Sequence, residues 1–190
     1  MIDGWSDIGG APILDFLNTA GAGGKARAGE RLTGHAAVLD WGVWSGLLSP
    51  HEAASLSAGF SRPQLIARRE ALHGMLSAHA AGRSPEAAAL NTVTAWIQDA
   101  RSRAVMARTS AGYDWRAVAG PSAGGLLSDR LALGADCLLT GPDLAHVREC
   151  GRCSWFFLSK GRGRPRRWCA MAACGNREKA RRHYARRRAA

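Results

Sequence analysis

Cys150-Gly-Arg-Cys153 and Cys169-Ala-Met-Ala-Ala-Cys174 stand fifteen residues apart near the end of a 190-residue chain, and their reading decides how the C-terminal segment folds. Two thiol pairs at this spacing can close round one tetrahedral Zn²⁺; in an oxidising compartment the same thiols pair as disulfides. Compartment decides between them. Met1-Ile2-Asp3-Gly4-Trp5 carries no basic n-region, apolar stretch or small-residue cleavage site. No apolar run approaches the roughly 18 residues that a membrane span needs. The chain is therefore expected to be cytoplasmic, without a membrane partner, where paired cysteines more often hold metal. With Cys at all four positions, Cys150, Cys153, Cys169 and Cys174 leave no coordination position open for water. One structural zinc ion is expected, not a catalytic one.

Charge points to the same segment. Residues 148–190 hold 14 of the 26 Lys and Arg but only two of the 15 acids, Glu149 and Glu178, a net of +12. The whole chain is +11, so residues 1–147 net −1. Such a block is an electrostatic footprint for a polyanion, most often nucleic acid. Forty-odd residues also bury too little surface to fold without a staple, which zinc supplies. Two domains follow: residues 1–143 as one near-neutral globular unit and 144–190 as the zinc module. On this division Cys150→Ser unfolds the finger and leaves the first domain cooperative.

Along the first domain, the apolar run in residues 9–19 suggests a strand entering a helical turn, and residues 21–29 a Gly-rich loop. Thr33 is placed to cap a helix carrying Val38, Leu39, Trp41 and Trp44. Ser49-Pro50-His51-Glu52 has the form of a capping box. Helical periodicity is clearest over residues 63–81, and Ser84-Pro85-Glu86 opens the next helix. Residues 101–118 suggest a β-hairpin, 121–125 a loop, 126–140 a further helix, and 144–149 an extended run into the first cysteine. His73 and His79 read as packing or surface residues, and Cys137 as a small core residue. The class is α+β, a helix-dominant N-terminal domain followed by a small treble-clef zinc finger. In that finger Cys150-Gly-Arg-Cys153 is a knuckle, residues 154–158 and 166–168 make a hairpin, and a helix over 171–188 carries Cys174.

Trp168-Cys-Ala-Met-Ala-Ala-Cys174-Gly175-Asn176-Arg177 resembles the CGNR zinc finger. In that family the finger follows an ABATE domain marked by a Leu-Asp-Phe-x-Asn-Thr stretch, matched here by residues 14–19. A helix containing Arg-Glu-Ala-Leu also recurs, matched by residues 69–72. The resemblance implies a bacterial stress-induced transcription regulator. The turn over residues 159–165 is more basic and Gly-rich than the family pattern.

No catalytic motif stands out, so the chain is not expected to be an enzyme. Arg177, Arg181 and Arg188 share one side of the last helix and Lys179, Arg182 and Arg186 another. One set is expected to approach bases and the other, with Arg162, Arg164, Arg166 and Arg167, to hold phosphates. Arg177 and Asn176 have a competing reading as hydrogen-bond supports for the thiolates or a nearby carbonyl. Asp15, Asn18 and Arg69 are candidate ligand contacts, with capping or an Asp15–Arg69 pair as alternatives. The function expected is a regulator that binds duplex DNA through its finger and senses a small ligand through its N-terminal domain. A homodimer would extend the few base pairs one finger reads. Competing readings are an RNA-binding or ribosome-associated protein, and an enzyme sited in the N-terminal domain.

Overall fold

The computed structural model describes residues 4–21, 24–56, 60–110, 112–119, 125–161 and 163–189. Among them, six α-helices precede the cysteines: α1 (Pro12–Leu17), α2 (His35–Trp44), α3 (Pro50–Ser55), α4 (Arg62–Ala80), α5 (Ala87–Arg103) and α6 (Leu126–Thr140). An antiparallel hairpin, β1 (Val105–Thr109) and β2 (Gly112–Arg116), separates α5 from α6. A 3-10 turn, Pro142–His146, leads into a second antiparallel pair, β3 (Val147–Glu149) and β4 (Phe156–Leu158). Helix α7 (Asn176–Ala189) follows a π-helical turn at Met171–Gly175. The helix-dominant α+β class read from the sequence is what the chain adopts. No helix among the described residues is long and apolar enough to cross a membrane.

The stretch over residues 9–19 forms a helix instead of the expected strand. Pro12 lies in the first turn of α1, where its fixed φ and missing N–H suit a helix start. Burial of Ile13, Leu14, Phe16 and Leu17 follows because α1 is packed by α4, α6 and β4 together. Ser49 and Glu52 form the expected capping box. Gly34, not Thr33, is the N-cap of α2. Helix α5 begins after Glu86 and runs through Arg103, so the hairpin starts later than expected. The loop expected over 121–125 lies outside the described residues except for Gly125.

Phe16, Leu17, Val38, Trp41, Leu72, Leu76, Trp96 and Leu131 belong to one core. Each large apolar side chain buried there contributes about 1.5–3 kcal/mol. Cys137 is not in that core. Helix α6 buries Leu127, Leu131, Ala135 and Leu138 at three- and four-residue spacing, and that row leaves Cys137 exposed. A second core gathers the four C-terminal cysteines with Trp155 and Phe157.

Strand β4 serves both. Phe156 packs into the large core while Trp155 and Phe157 face the cysteines, as the two-residue period of a strand dictates. The finger's hairpin is also not where the spacing suggested. Residues 156–158 pair with 147–149 upstream of the knuckle, in the register Val147↔Leu158, Arg148↔Phe157, Glu149↔Phe156. The knuckle turns tightly, with the Cys150 N–H donating to the Trp155 carbonyl at 2.9 Å, and this makes its two flanks antiparallel neighbours. The returning segment bonds to the knuckle where the Gly151 N–H donates to the Arg167 carbonyl at 2.9 Å.

Candidate metal centre and basic helix

The sulfurs of Cys150, Cys153, Cys169 and Cys174 are buried and lie within 4.8 Å of one another. Cys169 Sγ stands 3.7 Å from both Cys153 Sγ and Cys174 Sγ. A disulfide needs about 2.05 Å. A tetrahedron with Zn–S near 2.3 Å has edges of roughly 3.8 Å, which fits. The thiols' acidity supports the same conclusion. Hydrogen bonds from Cys153 and Cys169 favour a thiolate on Cys150 and lower its pKa. Hydrogen bonding to that same Cys150 pushes Cys153 up to about 12 and raises Cys169. Left to themselves these three sulfurs compete for one thiolate, a conflict that a divalent cation relieves. The donor set fits one structural zinc ion.

Gly175 shows how closely the module closes behind its last ligand. A Cβ there would come within 2.4 Å of Met171 Sδ and 3.3 Å of Trp168 Cδ1. A larger residue there would displace the Met171 side chain and press on the tryptophan ring.

Asn18, Thr19 and Arg69, from the two stretches that carry the family resemblance, meet at the base of the finger. Asn18 Nδ2 donates to the Phe156 carbonyl and its Oδ1 accepts from the Phe156 N–H, both at 2.9 Å. The side-chain amide thus pairs the free edge of β4 as a neighbouring strand would. Arg69, 2% exposed, donates to Thr19 Oγ1, to both oxygens of Glu30 and to Glu70. Burial opposes its charge, but Glu30 and Glu70 outweigh burial and raise its pKa. Asp15 is not its partner. It accepts from the Gly9 N–H at 2.8 Å, and burial pushes its pKa up to about 7. None of the three lines the clefts formed by α4, α5 and α6 or by α1 and α6. Their partners lie within the chain itself.

Residues 20–21 and 24–30 form a strap over the knuckle, and sequence reasoning missed it. Ala20 and Glu30 make an antiparallel bridge at its base. The Trp155 indole N–H donates to the Ala20 carbonyl at 3.1 Å, and the Ser154 N–H to the Gly24 carbonyl at 3.1 Å. Lys25 Nζ reaches the Cys150 carbonyl at 2.6 Å and Glu149 at 2.5 Å. Gly21 has φ +74°, and a Cβ there would fall 2.3 Å from Ser154 Oγ, so glycine is required twice over. From α4, His73 Nε2 lies 2.8 Å from the Ser154 carbonyl. A carbonyl only accepts, so that nitrogen carries the proton, and burial lowers the ring's pKa to keep it neutral.

The basic residues divide into tied and free. Glu178, buried at the start of α7, takes hydrogen bonds from Arg181 and Arg182 and an ion pair from Arg152 at 3.8 Å. Those bonds, Arg181's first, hold its carboxyl at about 2. Arg166 lies over the Phe157 ring at 4.6 Å and Arg167 over Trp168 at 4.9 Å. Arg164, Arg177, Lys179, Arg186 and Arg188 are exposed, while Arg162 lies outside the described residues. Asn176 Nδ2 donates to the Ala172 carbonyl at 3.4 Å.

Residues 146–187 match the CGNR zinc finger model, and residues 10–142 match ABATE, described as "Putative stress-induced transcription regulator". No curated protein matches the chain. With a strapped four-cysteine centre behind a basic helix, and a family model matched over most of its length, the chain belongs to the ABATE family of transcription regulators and ends in a CGNR zinc finger.

Proposed function

We propose that this regulator binds duplex DNA through α7, with zinc organising the finger and taking no part in chemistry. The placement of charge carries the reading: residues 148–190 net +12, and every residue of α7 from 179 to 188 is exposed. No apolar stripe on this helix calls for a protein partner, and its like charges repel one another along the surface. A row of phosphates relieves that repulsion and releases counterions. The test is selection of genomic fragments by the zinc-loaded protein in the presence of competing RNA. Enriched promoter fragments support the reading. Retention of RNA instead replaces it with RNA binding, which an Arg-rich helix also suits.

The N-terminal domain reads as a sensor of a small organic anion. A cleft of about 160 Å³ between α4, α5 and α6 supports this, with Arg68 in its wall. Arg68 donates to Ser128 Oγ and lies over the Trp96 ring, while Arg103 takes both nearby carboxylates, Asp99 and Asp129. Desolvation lowers the pKa of Arg68, a penalty that an anionic ligand would offset. A panel of small carboxylates is expected to raise the melting temperature of the protein and not that of Arg68→Met. Equal shifts in both would remove the cleft from consideration.

A further inference from the structure

The protein's own contacts fix which side of α7 faces outward. Glu178 is buried against Arg152, and Lys179 and Arg182 line a crevice with Arg167, Trp168, Met171 and Gly175. At about 100° per residue, the ridge opposite these contacts carries Arg177, Ala180, Tyr184 and Arg187, spaced three, four and three apart. All four are exposed. Tyr184 is 64% exposed, and its ring meets that of the neighbouring His183 at 5.8 Å between centroids. Folding gives no reason for an aromatic ring there.

The ridge fits a helix laid in a major groove, which is about 12 Å wide and admits one. Ala180 lets the backbone approach closely. Arg187 is long enough to reach a guanine edge bidentately, and Tyr184 presents both an apolar ring and a hydroxyl. Arg188 lies directly beside the ridge, whereas Lys179 and Arg186 lie round on the side that faces the crevice. Arg181 and Arg182 are held by Glu178 within the helix, and Arg152 pairs with the same carboxylate from the knuckle. We infer that Arg177, Ala180, Tyr184 and Arg187 form the base-reading ridge of α7, flanked by Arg188 as a grip on phosphate. This rests on the duplex-DNA reading above. It also regroups the helix, since Arg177 joins Tyr184 and Arg187 instead of Arg181.

The test is selection from randomised duplexes with the full-length zinc-loaded protein, beside Tyr184→Ala, Arg187→Ala and Arg188→Gln. Zinc content and far-ultraviolet circular dichroism establish that each variant keeps its fold. The wild-type protein should select a motif. Arg187→Ala and Tyr184→Ala should each lose roughly tenfold discrimination at one or two positions of it. Arg188→Gln should keep the motif, bind all sequences more weakly and show a salt slope less negative by about 1. A motif unchanged in both ridge variants overturns the assignment while leaving DNA binding intact. A wild-type protein that binds duplexes without preference also overturns it, and one that binds no duplex overturns both readings.

Discussion

Replacing Asn18 by alanine tests whether the N-terminal domain and the finger are held as one body. The amide of Asn18 satisfies both polar groups of Phe156 at 2.9 Å, and Asn18 is 3% exposed. Alanine leaves a buried N–H and a buried carbonyl without those partners, each costing about 1–3 kcal/mol. Entry of a water molecule would recover part of this, so the expected loss is about 3 kcal/mol. Against a typical stability of about 5–15 kcal/mol that is a large fraction. Urea unfolding followed by tryptophan fluorescence reads it directly, because Trp155 is buried beside the same strand. The midpoint should fall with an unchanged slope, and a chromogenic chelator should take up zinc faster. Asn18→Asp should be no better, since it keeps the acceptor for the Phe156 N–H but sets a carboxylate against the carbonyl. A loss below about 0.5 kcal/mol for Asn18→Ala, within the range of ordinary surface substitutions, would refute the reasoning.

Two further outcomes follow from the shared strand and the buried acid. Chelating the zinc, or Cys150→Ser, should lower the melting temperature of the whole chain, because Phe156 belongs to the large core; a separate N-terminal transition at its original temperature would show two independent domains instead. Asp15, whose pKa rises from 3.8 to about 7 on burial, holds its proton longer when folded. Stability from this group is therefore full below about pH 4 and declines as pH rises toward 7, by at most about 1.4 kcal/mol per pH unit. Asp15→Asn should flatten that slope in urea titrations across the range, and an unaltered slope would discount the buried acid.

The zinc ligands were legible because a tetrahedral site imposes local spacing that survives in the sequence. Capping was legible at Ser49 and Glu52 for the same reason, since both bonds span three residues. What could not be read was pairing at long range. Asn18 and Phe156 are 138 residues apart, and nothing near Asn18 announces that its partner is the edge of a strand. The same holds for His73 with Ser154, Trp155 with Ala20 and Lys25 with Cys150. Glu178 was legible in principle, because Arg181 and Arg182 stand three and four residues beyond it on the helix. Counting arginines as one basic patch hid that two of them are committed to an acid.

Affinity for a duplex, measured across a salt series with and without zinc, tests the central claim most directly. If α7 and the finger neutralise about six phosphates, log K against log salt should fall with a slope near −5. Chelation should abolish the binding, because the zinc centre sets the base of the helix. A flat salt dependence, or an affinity unchanged after the metal is removed, would contradict the account.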